Sequence, residues 1–230
     1  MNKKGLLFIF SALLFSCAGS HIDKANKLIQ VEVKKTLYVP DSYEYVETKL
    51  DSVFSPCDPV LIINKKIELA KNITLFEEID DWITDAEIKL KSFDGIYNLI
   101  NTFSDDKYAY NLINIYSGGQ LGALDKAYSE SKQVYNETIE KSKKISEQIQ
   151  TQIKELDEIY KSKKVFVGFG ANHTFRSKDQ SGTIFFGHIY YYFDKDLSKI
   201  VYQIDLNGEE YKLLSDLETL IESFKSKALK

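Results

Sequence analysis

Residues 165–193 read VFVGFGANHTFRSKDQSGTIFFGHIYYYF. Val165–Arg176 and Thr183–Phe193 are rich in Val, Ile, Phe and Tyr, and Asp179-Gln180-Ser181-Gly182 separates them. Runs of β-branched and aromatic residues broken by such a cluster read as two strands of a hairpin. Lys199–Leu206 reads as a third strand, bounded by Asp194-Lys195-Asp196 and Asn207-Gly208. Glu209 to Lys227 then closes the chain as an amphipathic helix carrying Leu213, Leu217, Ile221 and Phe224. One antiparallel sheet packed by this C-terminal helix makes an α+β head. Three strands and one helix form a thin core, so segment 27–59 is expected to complete it.

Upstream of the hairpin the periodicity changes. Ile63, Ile67, Ala70, Ile73 and Phe76 begin an apolar stripe that continues to Phe103 in steps of three or four. That spacing predicts one helix of roughly forty residues. A short helix near 105–116 follows, and Ser117-Gly118-Gly119 breaks the chain. A second stripe runs from Leu121 to Ile159, in a helix expected over 121–163. Glu137/Lys141, Glu140/Lys144 and Asp157/Lys161 are favourable pairs on its solvated side. Two such helices, at 1.5 Å per residue, make an antiparallel coiled-coil-like hairpin roughly 60 Å long. The prolines, Pro40, Pro56 and Pro59, all precede it and mark a boundary near residue 59. The expected organisation is a head of 27–59 and 164–230 with a helical hairpin, 60–163, inserted. Within 27–59 a helix or extended stretch leads to a Pro-initiated turn. After it, Asp41 or Ser42 caps a short helix, or Tyr43, Tyr45 and Glu47 alternate along a strand.

The N-terminus has the form of a secretory signal over residues 1–16. Lys3 and Lys4 precede the apolar run Gly5–Phe15, which is too short to remain as a spanning helix. Leu14-Phe15-Ser16-Cys17 resembles the lipobox of bacterial lipoproteins: an aliphatic residue at −3, a small one at −1, then cysteine. The resemblance implies cleavage before Cys17, acylation there with palmitate-type chains, and a lipidated tether over 17–26. Loss of Lys3 and Lys4 takes the formal charge from −4 to −6. No later run of about twenty apolar residues offers another membrane span. The expected location is the cell envelope, on the inner or outer membrane, facing the periplasm or the surface.

Composition narrows the function classes. The chain has 230 residues, 43% hydrophobic, with 14 Phe and 15 Tyr, which is globular rather than disordered. Of 30 basic residues only Arg176 is arginine, and 34 acidic residues outweigh them. That balance excludes a nucleic-acid reader. Two cysteines, Cys17 and Cys57, provide neither a disulfide scaffold nor a zinc CxxC pair.

Two stretches carry a family resemblance. Pro40-Asp41-Ser42-Tyr43-Glu44 resembles the PDSYE motif of small, uncharacterised Bacteroidota lipoproteins. His173-x-x-Arg176-x-Lys178, with Gly182 and Tyr192-Phe193-Asp194-Lys195-Asp196, resembles their HxxRxK…G…FDKD strand-turn-strand. The resemblance covers roughly 30–55 and 165–206 and leaves the helical insertion aside. It departs at Asp179, where those relatives usually carry Asn, and at a single glycine where they often have two. It implies a small α+β fold in the envelope and no activity.

Candidate chemistry centres on His173, Arg176 and His188. If the hairpin turn centres on Gln180-Ser181, His173 faces His188 directly. A Ser181-Gly182 turn offsets them by two on one face, and a three-residue loop puts them on opposite faces. Two facing imidazoles are a start on a metal site, but no further ligand is placed to complete one. Arg176 offers a bidentate fork, either to Asp41 or Glu44 within the chain or to a ligand carboxylate. His21 is expected in solvent within the tether. Asp194-Lys195-Asp196-Leu197-Ser198 has the spacing of a calcium loop, yet Lys199 stands where the sharp turn needs glycine. Gly168 and Gly170 precede no helix and make no phosphate loop. Cys57 has no positive neighbour to activate it. Asp51-Ser52-Val53 resembles the D-(S/T)-aliphatic O-glycosylation site of Bacteroidota envelope proteins, which marks Ser52. No catalytic set, metal site or cofactor motif emerges. The expectation is a non-enzymatic lipoprotein whose hairpin contacts a protein partner or a second copy. The competing expectations are a small-ligand or metal binder, or hydrolase, around His173, His188 and Arg176, and a plain spacer.

Overall fold

A computed structural model describes residues 21–104, 106–116 and 118–228. The expected signal sequence, Cys17 and the first part of the expected tether lie outside the described residues. Helix α1 runs over 21–36, followed by a single 3₁₀ turn, Pro40–Ser42, and strand β1, Glu44–Ser55. Three helices come next: α2 Pro59–Ser104, α3 Lys107–Tyr116 and α4 Leu121–Lys161. Strands β2 Val165–Lys178, β3 Ile184–Phe193 and β4 Ile200–Asp205 lead into α5, Glu209–Ala228. The chain is α+β, with one antiparallel sheet ordered β1-β2-β3-β4 and long helices inserted between two neighbouring strands. The segment that sequence left open between helix and strand is β1, and its residues pair with β2 from Glu44↔Arg176 to Ser55↔Val165.

The chain packs as two units. One takes residues up to Ala70 together with Lys154–Glu218, and the other takes Lys71–Ile153 with the residues from Thr219 on. In the first unit the core lies on one face of the sheet. Along α1, Ala25, Ile29 and Val33 recur every fourth residue and are buried against Ala171, Phe175, Tyr191 and Phe193. Side chains two apart on a strand share a face, which puts 171, 173, 175 and 177 on this inner side. Gly187 is required opposite Phe175, because a Cβ there would come within 2.2 Å of the ring.

This arrangement corrects one expectation. The stretch 21–26, expected as polar tether, is helical, Ala25 is fully buried and His21 rests its ring 5.2 Å from that of Phe169. α1 thus adds its stripe to the sheet core, and the first half of α5, with Leu217 buried, belongs to the same unit. The far half of α5 belongs to the second unit, where Phe224 meets Phe76 edge-on at 5.1 Å. There Ser223 also donates to the Glu77 carboxylate, and Lys227 sits 3.6 Å from Asp80.

In the second unit α2 and α4 run antiparallel, joined by an Asn72–Gln152 amide hydrogen bond of 3.0 Å and a stacked Tyr97–Tyr128 pair at 4.5 Å. Tyr128 donates to Asp94, which holds its phenol above the usual range. Between them α3 has its own ends. Asp106 Oδ1 accepts from the Tyr108 and Ala109 N–H groups at its start. Gly118 and Gly119, at φ +68° and +79°, return N–H groups to Ile115 and Asn114 at its end.

If α1 is part of the head core, Ile29→Ala removes a fully buried side chain and lowers stability by about 2–5 kcal/mol. Val31→Ala, on the exposed side of the same helix, changes it by less than about 0.5 kcal/mol. Urea denaturation of the two variants measures the difference.

Candidate functional site

Of the sequence-predicted site residues, His173 is the one at the heart of the head. It is 1% exposed on the inner face of β2, its ring stacked 5.7 Å from Phe175 and flanked by Tyr43, Tyr45 and Tyr191. Nδ1 lies 2.9 Å from the Thr48 hydroxyl and Nε2 lies 3.2 Å from the Tyr43 hydroxyl. Thr48 donates its proton to Asn26 Oδ1 at 2.7 Å. Its oxygen is then an acceptor for Nδ1–H, which leaves Nε2 to accept from Tyr43. Burial pushes His173 down to about 4, so the imidazole is neutral at pH 7. Burial also raises Tyr43. Both ring nitrogens are occupied, and the chain Tyr43–His173–Thr48–Asn26 ties β2 to the 3₁₀ turn, β1 and α1. A shallow cleft of about 420 Å³ opens over its end, between Asn26, Lys27 and Gln30 of α1 and Tyr43 and Tyr45.

His188 and Arg176 do not join this site. The hairpin closes with a three-residue loop, Gln180-Ser181-Gly182, inside the Asp179/Thr183 pair, and Gly182 takes φ +84°. His173 therefore opposes Ile189, and His188 opposes Thr174. The two imidazoles point to opposite faces, with His188 exposed. The arrangement in which His173, His188 and Arg176 converge on one pocket is not formed. Arg176 lies directly across from Glu44, with Nη2 2.9 Å from Oε2, so its fork is used within the chain. Among the described residues no group of three or more His, Cys, Asp or Glu is placed to hold a metal. The calcium-like loop spends its first carboxylate on the turn: Asp194 accepts from the N–H groups of Ser198 and Lys199 and from the Ser198 hydroxyl. Ser52 is exposed on edge strand β1, and Cys57 is half-buried beside Asp58.

The open site is elsewhere, on the helical hairpin. A groove of about 550 Å³ runs between α2 and α4, walled by Trp82, Leu90 and Phe93 on one side and Leu124, Tyr128 and Val134 on the other. Its small members, Ala86, Ala127 and Ser131, are what leave the space. Trp82 is 44% exposed, and Phe93 and Val134 are similarly open. Asp85, Lys89 and Glu130 form its charged rim, with Lys89 Nζ 2.6 Å from Asp85. The main stripe of α2 passes through Ile79, Ile83 and Ala86 and does not include Trp82. The signal for the groove is Trp82, which stands one position off that stripe and broadens the apolar face beyond what one helix neighbour covers.

The neutral state of His173 predicts a pH dependence of stability. The unfolded chain protonates this histidine below about 6.5, whereas the folded chain does so only below about 4. Stability present above pH 6.5 is therefore lost as pH falls toward 4, by roughly 3 kcal/mol. His173→Leu strands the Tyr43 and Thr48 hydroxyls and is less stable at pH 7.5. Urea midpoints should show the gap between the two proteins narrowing at pH 4.5.

The comparisons add no identity to this geometry: no known protein family, no curated protein and no solved structure matches the chain.

Proposed function

We propose that the protein is a lipid-anchored component of the bacterial cell envelope that acts by docking a protein helix on its hairpin, without catalysis. The observation that carries this reading is the groove between α2 and α4, with Trp82, Phe93 and Val134 still open to water after the helices have paired. Aromatic anchors beside small residues, edged by a few charges, are the composition of a helix-in-groove site. The anchor is supported by the signal sequence and by the lipobox ending at Cys17. No described helix is long and apolar enough to cross a membrane. Acyl chains at Cys17 would contribute about 0.8 kcal/mol per buried methylene. The head's own polar centre favours no chemistry on a substrate, because His173 is neutral, buried and satisfied on both nitrogens.

Two measurements test the proposal. Cys17→Ser should move the protein from the membrane to the soluble fraction and abolish incorporation of labelled palmitate. A photo-crosslinking residue at Ser131, on the groove, should give an adduct of discrete mass in growing cells. The same residue at Lys143, far along α4, should give none. Membrane retention of the Cys17 variant counts against the anchor, and absence of the Ser131 adduct counts against docking.

A further inference from the structure

We infer that the occupant of the groove is helix α3 of a second copy of this chain, docked reciprocally in a two-fold dimer. The inference rests on the docking reading above and names its partner. Of the ten residues of α3, only Lys107 is charged, and Tyr108, Leu112 and Ile115 fall at i, i+4 and i+7. That spacing is a single helix face. Among the described residues it is left open: Tyr108 is 75% exposed and Ile115 73%. One unit thus carries two unsatisfied apolar surfaces, a knob on α3 and a groove on α2 and α4.

Their dimensions and charges agree. Ten residues of helix span about 15 Å, and the groove from Trp82 to Phe93 spans about 16 Å along α2. α3 is the one described helix without an acidic residue, and it brings Lys107 to a rim that holds Asp85 and Glu130 beside Lys89. Both chains are net negative, so a contact through the least acidic helix meets the least repulsion. Reciprocal docking brings two helix faces onto two grooves, which lets short elements approach the ~1,200 Å² of a stable interface.

The chain cannot fill its own groove in this way. Phe93 lies eleven residues, about 16 Å, before the end of α2 at Ser104. α3 is joined to that end by residues 105–106 and to the start of α4 by 117–120. A two-residue link reaches about 7 Å. To lie along the groove, α3 would have to unwind the ends of the helices that form it.

The test is complementation. The full chain in detergent should be a dimer by light scattering corrected for bound detergent, and the emission of Trp82, the only tryptophan, should shift to the blue as the dimer forms. Ile115→Asp, which spoils the knob, and Phe93→Asp, which spoils the groove, should each weaken dimerisation at least tenfold with unchanged helical circular dichroism. Mixing the two variants restores one intact knob-groove contact, so a heterodimer should reappear at concentrations where each alone is monomeric. A monomeric parent chain, or a dimer that both variants leave intact, overturns the inference. So does a mixture that stays monomeric. The Ser131 adduct separates the two levels: twice the chain mass supports self-docking, and another mass overturns it while leaving the docking function standing. No adduct removes both.

Discussion

The turn at Asp179 fixes which side of the sheet every later residue occupies. Its carboxylate accepts from the Ser181 N–H at 2.8 Å, the Thr183 N–H at 2.9 Å and the Ser181 hydroxyl at 2.6 Å. Those bonds hold its pKa below the usual carboxylate range, the Ser181 hydroxyl contributing most. They select a three-residue loop with Gly182 at positive φ. A loop one residue shorter would slip the register and turn the inner row of β3 outward. With this loop, Gly187 stands beneath Phe175, Tyr191 and Phe193 turn toward α1, and His188 turns away. His173 then enters an apolar layer, where only a neutral ring bonded at both nitrogens is tolerable. The Tyr43, Thr48 and Asn26 contacts follow from that demand.

The same register makes the insertion possible. β1 and β2 pair although about 110 residues separate Ser55 from Val165. Closing so long a flexible loop costs only a few kcal/mol more than closing a short one, since each doubling adds about 0.6 kcal/mol. The helices reduce even that, because antiparallel α2 and α4 return the chain to its starting point. Within the first unit Lys65 meets Glu155 at 2.7 Å, and Lys66 lies over the Tyr160 ring. The ion pair is exposed and weak by itself, so it marks alignment more than it supplies stability. Sheet pairing and helix pairing each shorten the search that the other requires.

The sequence was most legible where one periodicity ran long. The stripes of α2 and α4 and the aromatic runs of β2 and β3 placed those elements within a few residues, and the insertion between head segments followed from their order. It was least legible where two rules competed. Residues 44–55 alternate and also allow a cap-led helix, and only pairing with β2 decides for the strand. Residues 21–26 look polar, but Ala25 sits on the same stripe as Ile29 and Val33, and a small residue is easily overlooked as core. α5 divides its stripe between the two units at residues 218 and 219, a division that periodicity does not mark. For the site, the sequence listed the loop lengths that would bring His173 and His188 together or apart, and hydrogen bonds to Asp179 made the choice.

What separates the head from the hairpin is the state of their exceptional groups. In the head the exceptional polar groups have partners within the chain: buried His173 has two hydroxyls, exposed Arg176 has Glu44, and half-buried Asp194 has its own turn. His173 is structural in that condition, since both of its ring nitrogens are already bonded. In the hairpin apolar side chains stay open at Trp82, Phe93, Tyr108, Ile115 and Val134, and the head leaves Tyr38, Phe54, Ile184 and Phe186 open as well. Water does not answer an apolar surface. Each 100 Å² left exposed forgoes roughly 2.5 kcal/mol of burial. The charged residues that keep α4 soluble lie mainly nearer the head, where Glu137, Glu140, Lys141 and Lys144 cluster. The stretch of hairpin with Lys126, Glu130 and Lys132 carries charge too, yet it holds both a knob and a groove. Free energy is therefore still to be gained at the knob and the groove, and association is the route by which a folded chain gains it.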